Sequence, residues 1–186
     1  MLLFSHLFFS ARELLLAVLV LVIGSTLSAC GYSPLYDERS SSDLTVKKHL
    51  ELIQIQPISD RIGQHLHNKL LVHINPKGKP SNPLYILSVK LEETSSNLGV
   101  KKSAVVTRGN LRVTAVFTLS QVANVADGIK ARRLMTAKST TISSYDIPQG
   151  QYVALAAVKD AQARAIKEIA DDIRTRLGVY FRQRTQ

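Results

Sequence analysis

Nine residues, Leu111 to Leu119 (LRVTAVFTL), constrain this chain more than any others. Leu111, Val113, Ala115, Phe117 and Leu119 alternate with Arg112, Thr114, Val116 and Thr118. Successive side chains on a strand point to opposite faces, so this stretch places five apolar groups on one side of a sheet. The sheet must therefore have a covered face and an open one, and something amphipathic has to supply the cover.

The cover is readable on both sides of that strand. Ile62, Leu66, Leu70 and Ile74 recur at helical spacing and predict a helix over Arg61 to Ile74. Ser59 or Asp60 is placed to cap it, and Asn75-Pro76-Lys77-Gly78-Lys79-Pro80 stops it. A second apolar stripe, Val158, Ala161, Ala165, Ile169, Ile173, Leu177 and Tyr180, predicts a long helix over Tyr152 to Phe181. Its length exceeds the strands expected beside it, so its Arg-rich last turns are expected to project past the sheet.

Three further strands complete the order. Leu50 to Gln56 (LELIQIQ) ends at Pro57, Leu84 to Glu92 alternates, and Arg132 to Tyr145 is a long Thr/Ser-rich run. Thr94 to Gly99 reads as a polar connection. The resulting order is strand, helix, three strands, helix. This predicts an α+β domain: a two-layer sandwich with two helices on one face of a four-stranded mixed sheet. The helical crossover makes the first two strands parallel, and short connections make the last three antiparallel.

The start of the chain carries a different signal. Arg12 precedes an apolar run, Leu14 to Ile23, and the small residues Ser28-Ala29 stand directly before Cys30. A charged start, a short apolar stretch and small residues before a cut define a secretory signal peptide. Leu27-Ser28-Ala29-Cys30 further resembles a bacterial lipobox, in which the cysteine sulfur receives a diacylglyceryl group before cleavage. An uncleaved membrane anchor is the competing reading. Spanning needs about 20 apolar residues, and Ser10, Arg12 and Glu13 interrupt the run. Cys30 is the only cysteine, so no internal disulfide can form.

The expected organisation is therefore a cleaved signal peptide over 1–29, a lipidated N-terminus and flexible tether over 30–48, and a single domain over 49–186. Asp37 to Asp43 (DERSSSD) supplies the flexible part.

The chain carries a formal charge of +10. Arg12 and Glu13 cancel, so cleavage leaves that excess intact. It favours anionic partners such as lipid headgroups or lipopolysaccharide phosphates. Export and the lack of tryptophan or basic-aromatic interleaving argue against nucleic acid.

Catalytic signatures are missing. There is no Gly-x-Ser-x-Gly elbow, and Gly78-Lys79 is followed by Pro80, which excludes a P-loop. His65, His67 and His73 lie on the first helix with no two at i, i+4, so no metal site or other cofactor is expected. Asp171 and Asp172 read as salt-bridge partners of Lys167 and Arg174 to Arg176.

The order of elements and several strings resemble the lipopolysaccharide-assembly lipoprotein family LptE, in its alphaproteobacterial form. The strings are Cys30-Gly31-Tyr32-Ser33-Pro34-Leu35-Tyr36, Asp60-Arg61-Ile62-Gly63-Gln64, Leu98-Gly99-Val100, Thr107-Arg108-Gly109-Asn110-Leu111 and Glu168-Ile169-Ala170-Asp171-Asp172-Ile173-Arg174-Thr175-Arg176-Leu177. They span nearly the whole chain after Ala29. The long apolar stretch before Arg12 departs from the family. The resemblance implies a non-catalytic outer-membrane lipoprotein on the periplasmic side of the membrane. It would sit within the lumen of the barrel LptD and support lipopolysaccharide delivery to the cell surface. It also implies substrate contacts at the turn between the second and third strands and early in the last helix, which selects Lys101, Lys102, Arg108 and Lys159. Lys77, Lys79, Lys130, Arg132, Arg133, Arg182 and Arg184 gather at the opposite end of the sheet. The alternative is a free periplasm-facing lipoprotein that regulates a soluble partner such as a cell-wall synthase.

Overall fold

The computed structural model describes residues 41–100, 106–123 and 131–184, all within the compact unit Asp37–Gln186. The elements run α1 (Ser41–Glu51), β1 (Ile53–Ile55), α2 (Arg61–Ile74), β2 (Tyr85–Val100), β3 (Val106–Gln121), β4 (Arg132–Asp146) and α3 (Gln151–Arg184). The fold is α+β, and its single mixed sheet has the order β1-β2-β3-β4. β1 pairs parallel with β2; β2–β3 and β3–β4 are antiparallel.

The alternation of β3 decides the layering. Leu111, Val113, Ala115, Phe117 and Leu119 are all fully buried, and Leu87 and Val89 of β2 join them. α2 contributes Leu66, Leu70 and Ile74, and α3 contributes Ala161, Ala165, Ile169, Ala170, Ile173 and Leu177. Small side chains bring α3 close: Ala115 pairs with Ser139 and Leu111 with Ser143, and both serines are buried. The register slips between Leu119 and Ser120, leaving Leu134 as an extra residue in β4. Such a bulge re-aims a side chain, and Leu134 packs against the core.

Several expectations are corrected. Ser41–Glu51, read as the end of the tether and the start of the first strand, is helical, so a third helix, packed on α3, joins the two expected. α1 buries only Val46 and Leu50, which is too short a stripe to announce a helix; packing against α3 holds it, as is usual for helices this short. β1 shrinks to three residues, with the pattern buried–exposed–buried. β2 runs on through Thr94 to Gly99 because that segment pairs with β3 up to Val106. Residues 92–96 are exposed, so they face no core and show no alternation. At 16 residues β2 and β3 reach about 53 Å, matching the 34 residues or about 51 Å of α3. The last turns of α3 do not project: Leu177, Gly178 and Phe181 are buried, because α1 supplies a partner for them. It is the first ten residues, Gln151–Asp160, that contain no buried side chain.

Asp60 occupies the N-cap position of α2 at φ 68° without a side-chain hydrogen bond, and Ser59 makes no cap bond either. The expected cap is replaced by a tight entry. A Cβ on Gly63 would meet Ile58 Cγ2 at 2.8 Å and the Ile58 backbone at 3.1 Å, so glycine lets the entering chain fold back onto the helix. At the other end Asn75 is buried and its amide donates to the carbonyls of Glu51 and Ile53, each at 3.2 Å. One side chain thus ties the end of α2 to the α1–β1 junction.

Candidate functional site

Three surfaces carry the residues singled out by sequence. The first is the upper end, where β2 turns into β3. Arg108 is exposed and lies in register with Leu98 on one side and Asp146 on the other. Lys159 is exposed on the early part of α3, which begins five residues after β4 ends at Asp146. The topology therefore brings Arg108 and Lys159 to the same end. Lys101 and Lys102 lie outside the described residues, as does Cys30.

Acidic residues lie among the basic ones at this end. A cavity of about 330 Å³ is lined by Ser144, Tyr145, Asp146, Asp160 and Arg164 among others. Arg164 pairs with Asp160 one helical turn away and donates to the Ser144 carbonyl at 3.0 Å. Gly109 explains how the strands close here. A Cβ at that position would lie 2.5 Å from Tyr145 Cζ, so the tyrosine ring covers the glycine. A glycine inside a strand pattern signals such close approach. Tyr152, Val153 and Leu155 on the first turns of α3 are 91%, 57% and 52% exposed, ahead of the apolar stripe that begins at Val158.

The second surface is the sheet face away from the helices, which no described element covers. Arg112 is exposed on it, and Thr114 and Thr118 are half-buried. The threonines satisfy one another across the strands, Thr114 with Thr140 at 3.3 Å and Thr118 with Thr136 at 3.2 Å. Between these hydroxyl pairs Val116 stands exposed beside Lys138, and beyond them Ile142 is exposed beside Arg112. The face is therefore a mixed apolar and hydroxyl surface, less polar than Arg112 and the threonines alone suggest.

The third surface is the lower end. Lys79, Arg132, Arg133 and Arg184 are exposed there, while Lys77 bridges Glu51 at 3.1 Å. Lys47 and Lys48 are exposed on α1; Lys130 is outside the described residues. Four rings, His49, Tyr85, Tyr180 and Phe181, cluster beneath these charges. None of the four belongs to a sequence motif, and only the fold brings them together.

Several other polar residues singled out by sequence have local partners. His73 Nδ1 faces Asp171 at 3.2 Å across α2 and α3, and Asp172 receives Arg176 Nε at 2.9 Å. Only Asp172 pairs on its own helix as expected; Asp171 turns toward α2. His67 Nδ1 lies 3.2 Å from the Gln56 carbonyl. No helix of the described residues is long and apolar enough to cross a membrane.

No family model matches the chain, and no curated protein matches its sequence. Solved structures do match. A Caulobacter crescentus protein described as a lipoprotein has a TM-score of 0.57 at 21% identity, over 73% of this chain and 95% of its own. A minor lipoprotein from Acinetobacter baumannii has a TM-score of 0.50 at 19% identity, over 68% of this chain and 91% of its own. Rare lipoprotein B from Shewanella oneidensis matches at 0.43 and 14% identity, over 67% and 89%. The first two show that this α+β arrangement is one that bacterial lipoproteins adopt.

Proposed function

We propose that this chain is a non-catalytic outer-membrane lipoprotein, acylated at Cys30. It seats within the lumen of an LptD-like barrel, supports it, and contacts lipopolysaccharide on its way to the cell surface. The observation that carries this reading is the bare sheet face, three long strands wide and about 50 Å long by strand rise. The face presents threonine hydroxyls and Arg112, and a barrel interior offers polar, wet walls to such groups. The lipobox at Leu27 to Cys30 and the fold shared with other lipoproteins support the same reading.

The test is purification through detergent with photo-crosslinkers at Thr114 and Thr118. A barrel that co-purifies and crosslinks at both positions is the expected result. Crosslinks to soluble periplasmic proteins only would overturn the reading in favour of a regulatory lipoprotein.

Lipopolysaccharide contact is assigned to the upper end, through Lys101, Lys102 and Arg108 with Lys159 in support. Lipid A phosphates accept charge-assisted hydrogen bonds from such side chains. Lys101→Glu with Lys102→Glu should weaken lipopolysaccharide binding about tenfold or more, on the scale of one or two lost charged hydrogen bonds. Thermal stability and barrel association should stay unchanged. The same reversal at Lys130 and Arg132 should do much less. A binding assay in which the lower pair proves the damaging one would move the contact to the other end.

A further inference from the structure

The lower end of the sandwich contains a cavity of about 210 Å³ built by the ends of five elements. The last turn of α1 gives His49, the first residue of β2 gives Tyr85 and the last of β3 gives Gln121. The β4 bulge gives Leu134, and the last turn of α3 gives Tyr180, Phe181 and Arg184. Phe181 is the hub. Its ring stacks on the His49 imidazole at 5.2 Å and 6°, and Tyr85 and Tyr180 meet it at 5.0 and 5.4 Å. The Arg184 guanidinium lies 5.0 Å from the centre of the Tyr180 ring.

The polar groups of this cavity form a set of donors. Arg184 can only donate, the Gln121 amide and Tyr180 hydroxyl can donate, and no carboxylate lines the space. The Tyr180 hydroxyl is buried and finds no hydrogen-bond partner among the described residues. Buried hydroxyls in that condition are uncommon and mark a missing acceptor. The Tyr85 hydroxyl meets His49 Nδ1 at 3.1 Å. Burial raises the Tyr85 phenol above its usual range, the neighbouring Tyr180 adds to this, and Arg184 partly offsets it. Both phenols and the guanidinium therefore lie within electrostatic reach of each other. Arg132, in register with Gln121 and exposed, adds positive charge at the same end of the sheet. The carbonyls at the C-terminal end of α3 oppose an anion here, but Arg182 and Arg184 in that last turn counter them.

We propose that this cavity binds a phosphate group, carried by a phospholipid headgroup or by a soluble phosphate ester. Phosphate suits the site better than carboxylate because the lining offers a guanidinium, an amide and a hydroxyl as donors, more than two oxygens need. The site is separate from the upper contact: Arg108 and Gln121 lie thirteen residues apart on β3, about 43 Å by strand rise. It stands whether or not the barrel reading does, since its test involves neither barrel nor lipopolysaccharide.

The test uses the full-length protein in a nonionic detergent, titrated with inorganic phosphate at constant ionic strength. With no tryptophan in the chain, fluorescence comes from six tyrosines, and Tyr85 and Tyr180 among them line the cavity. Saturable quenching, with a rise in thermal midpoint, is expected. Arg184→Gln should weaken the apparent affinity about tenfold or more, and Tyr180→Phe, which keeps the ring against Phe181, by a smaller factor. A second arm replaces phosphate with vesicles of phosphatidylglycerol and phosphatidylcholine. Binding by vesicles that both variants weaken assigns the site to a lipid headgroup; binding by inorganic phosphate alone assigns it to a soluble ester. No saturable change in either arm, or equal responses in wild type and both variants, overturns the proposal.

Discussion

Cys30→Ser should leave the precursor uncut and unacylated, and the protein should no longer appear as a lipid-modified form in the membrane fraction. At a lipobox, cleavage before the cysteine follows transfer of a diacylglyceryl group to its sulfur, and a serine oxygen is not a substrate for that transfer. The effect on localisation should be all-or-none. One acyl chain holds a protein only marginally, whereas several contribute about 0.8 kcal/mol for every buried CH₂ and make attachment effectively permanent. Mass spectrometry of the purified variant checks it. A mature N-terminus at residue 30 in Cys30→Ser would show that an ordinary signal peptidase cuts there, and the lipobox reading would fall.

The second large effect lies in the core. Phe117 is fully buried at the centre of β3, with Val89 and Ala137 as its register partners on either side. Phe117→Ala removes a large apolar side chain and leaves a cavity that the flanking strands can close only in part. The expected loss is about 3–5 kcal/mol, which corresponds to a fall of about 6–20 °C in the thermal midpoint for a domain of this size. Two controls give the number meaning. Val116→Thr, one residue away on the open face, and Leu155→Ala, on the unburied first turns of α3, should each change stability by only about 0.5 kcal/mol. If Val116→Thr proved as costly as Phe117→Ala in the isolated protein, the open face would not be open.

What the sequence made legible follows from where apolar residues had a core to face. The helix Arg61–Ile74 was readable to its ends, because four apolar residues at helical spacing are followed by a proline- and glycine-rich stop. β3 was readable in its middle because five alternating residues meet two helices. Legibility failed where structure continues without a core. Glu92 to Val100 is strand by pairing alone, and α1 is helix because α3 lies beside it. Of the candidate site, Arg108 and Lys159 were placed at one end by topology, and the structure puts them there. The aromatic cavity was not legible. His49, Tyr85, Gln121 and Phe181 are far apart along the chain and carry no shared spacing, so only the closed fold makes them neighbours.

That stacking of His49 on Phe181 also sets a timetable. The two rings are separated by nearly the whole length of the domain, and α1 has few apolar groups of its own. Because α1 leaves the ribosome first and α3 last, α1 has nothing to pack on until the chain is almost finished. Contacts of such long sequence separation form late and slowly. For the exported lipoprotein proposed above, threaded through a membrane channel N-terminus first, this is an advantage. α1, the described element nearest the proposed anchor at Cys30, would stay threadable, and the domain would lock only once its final helical turns have followed it through.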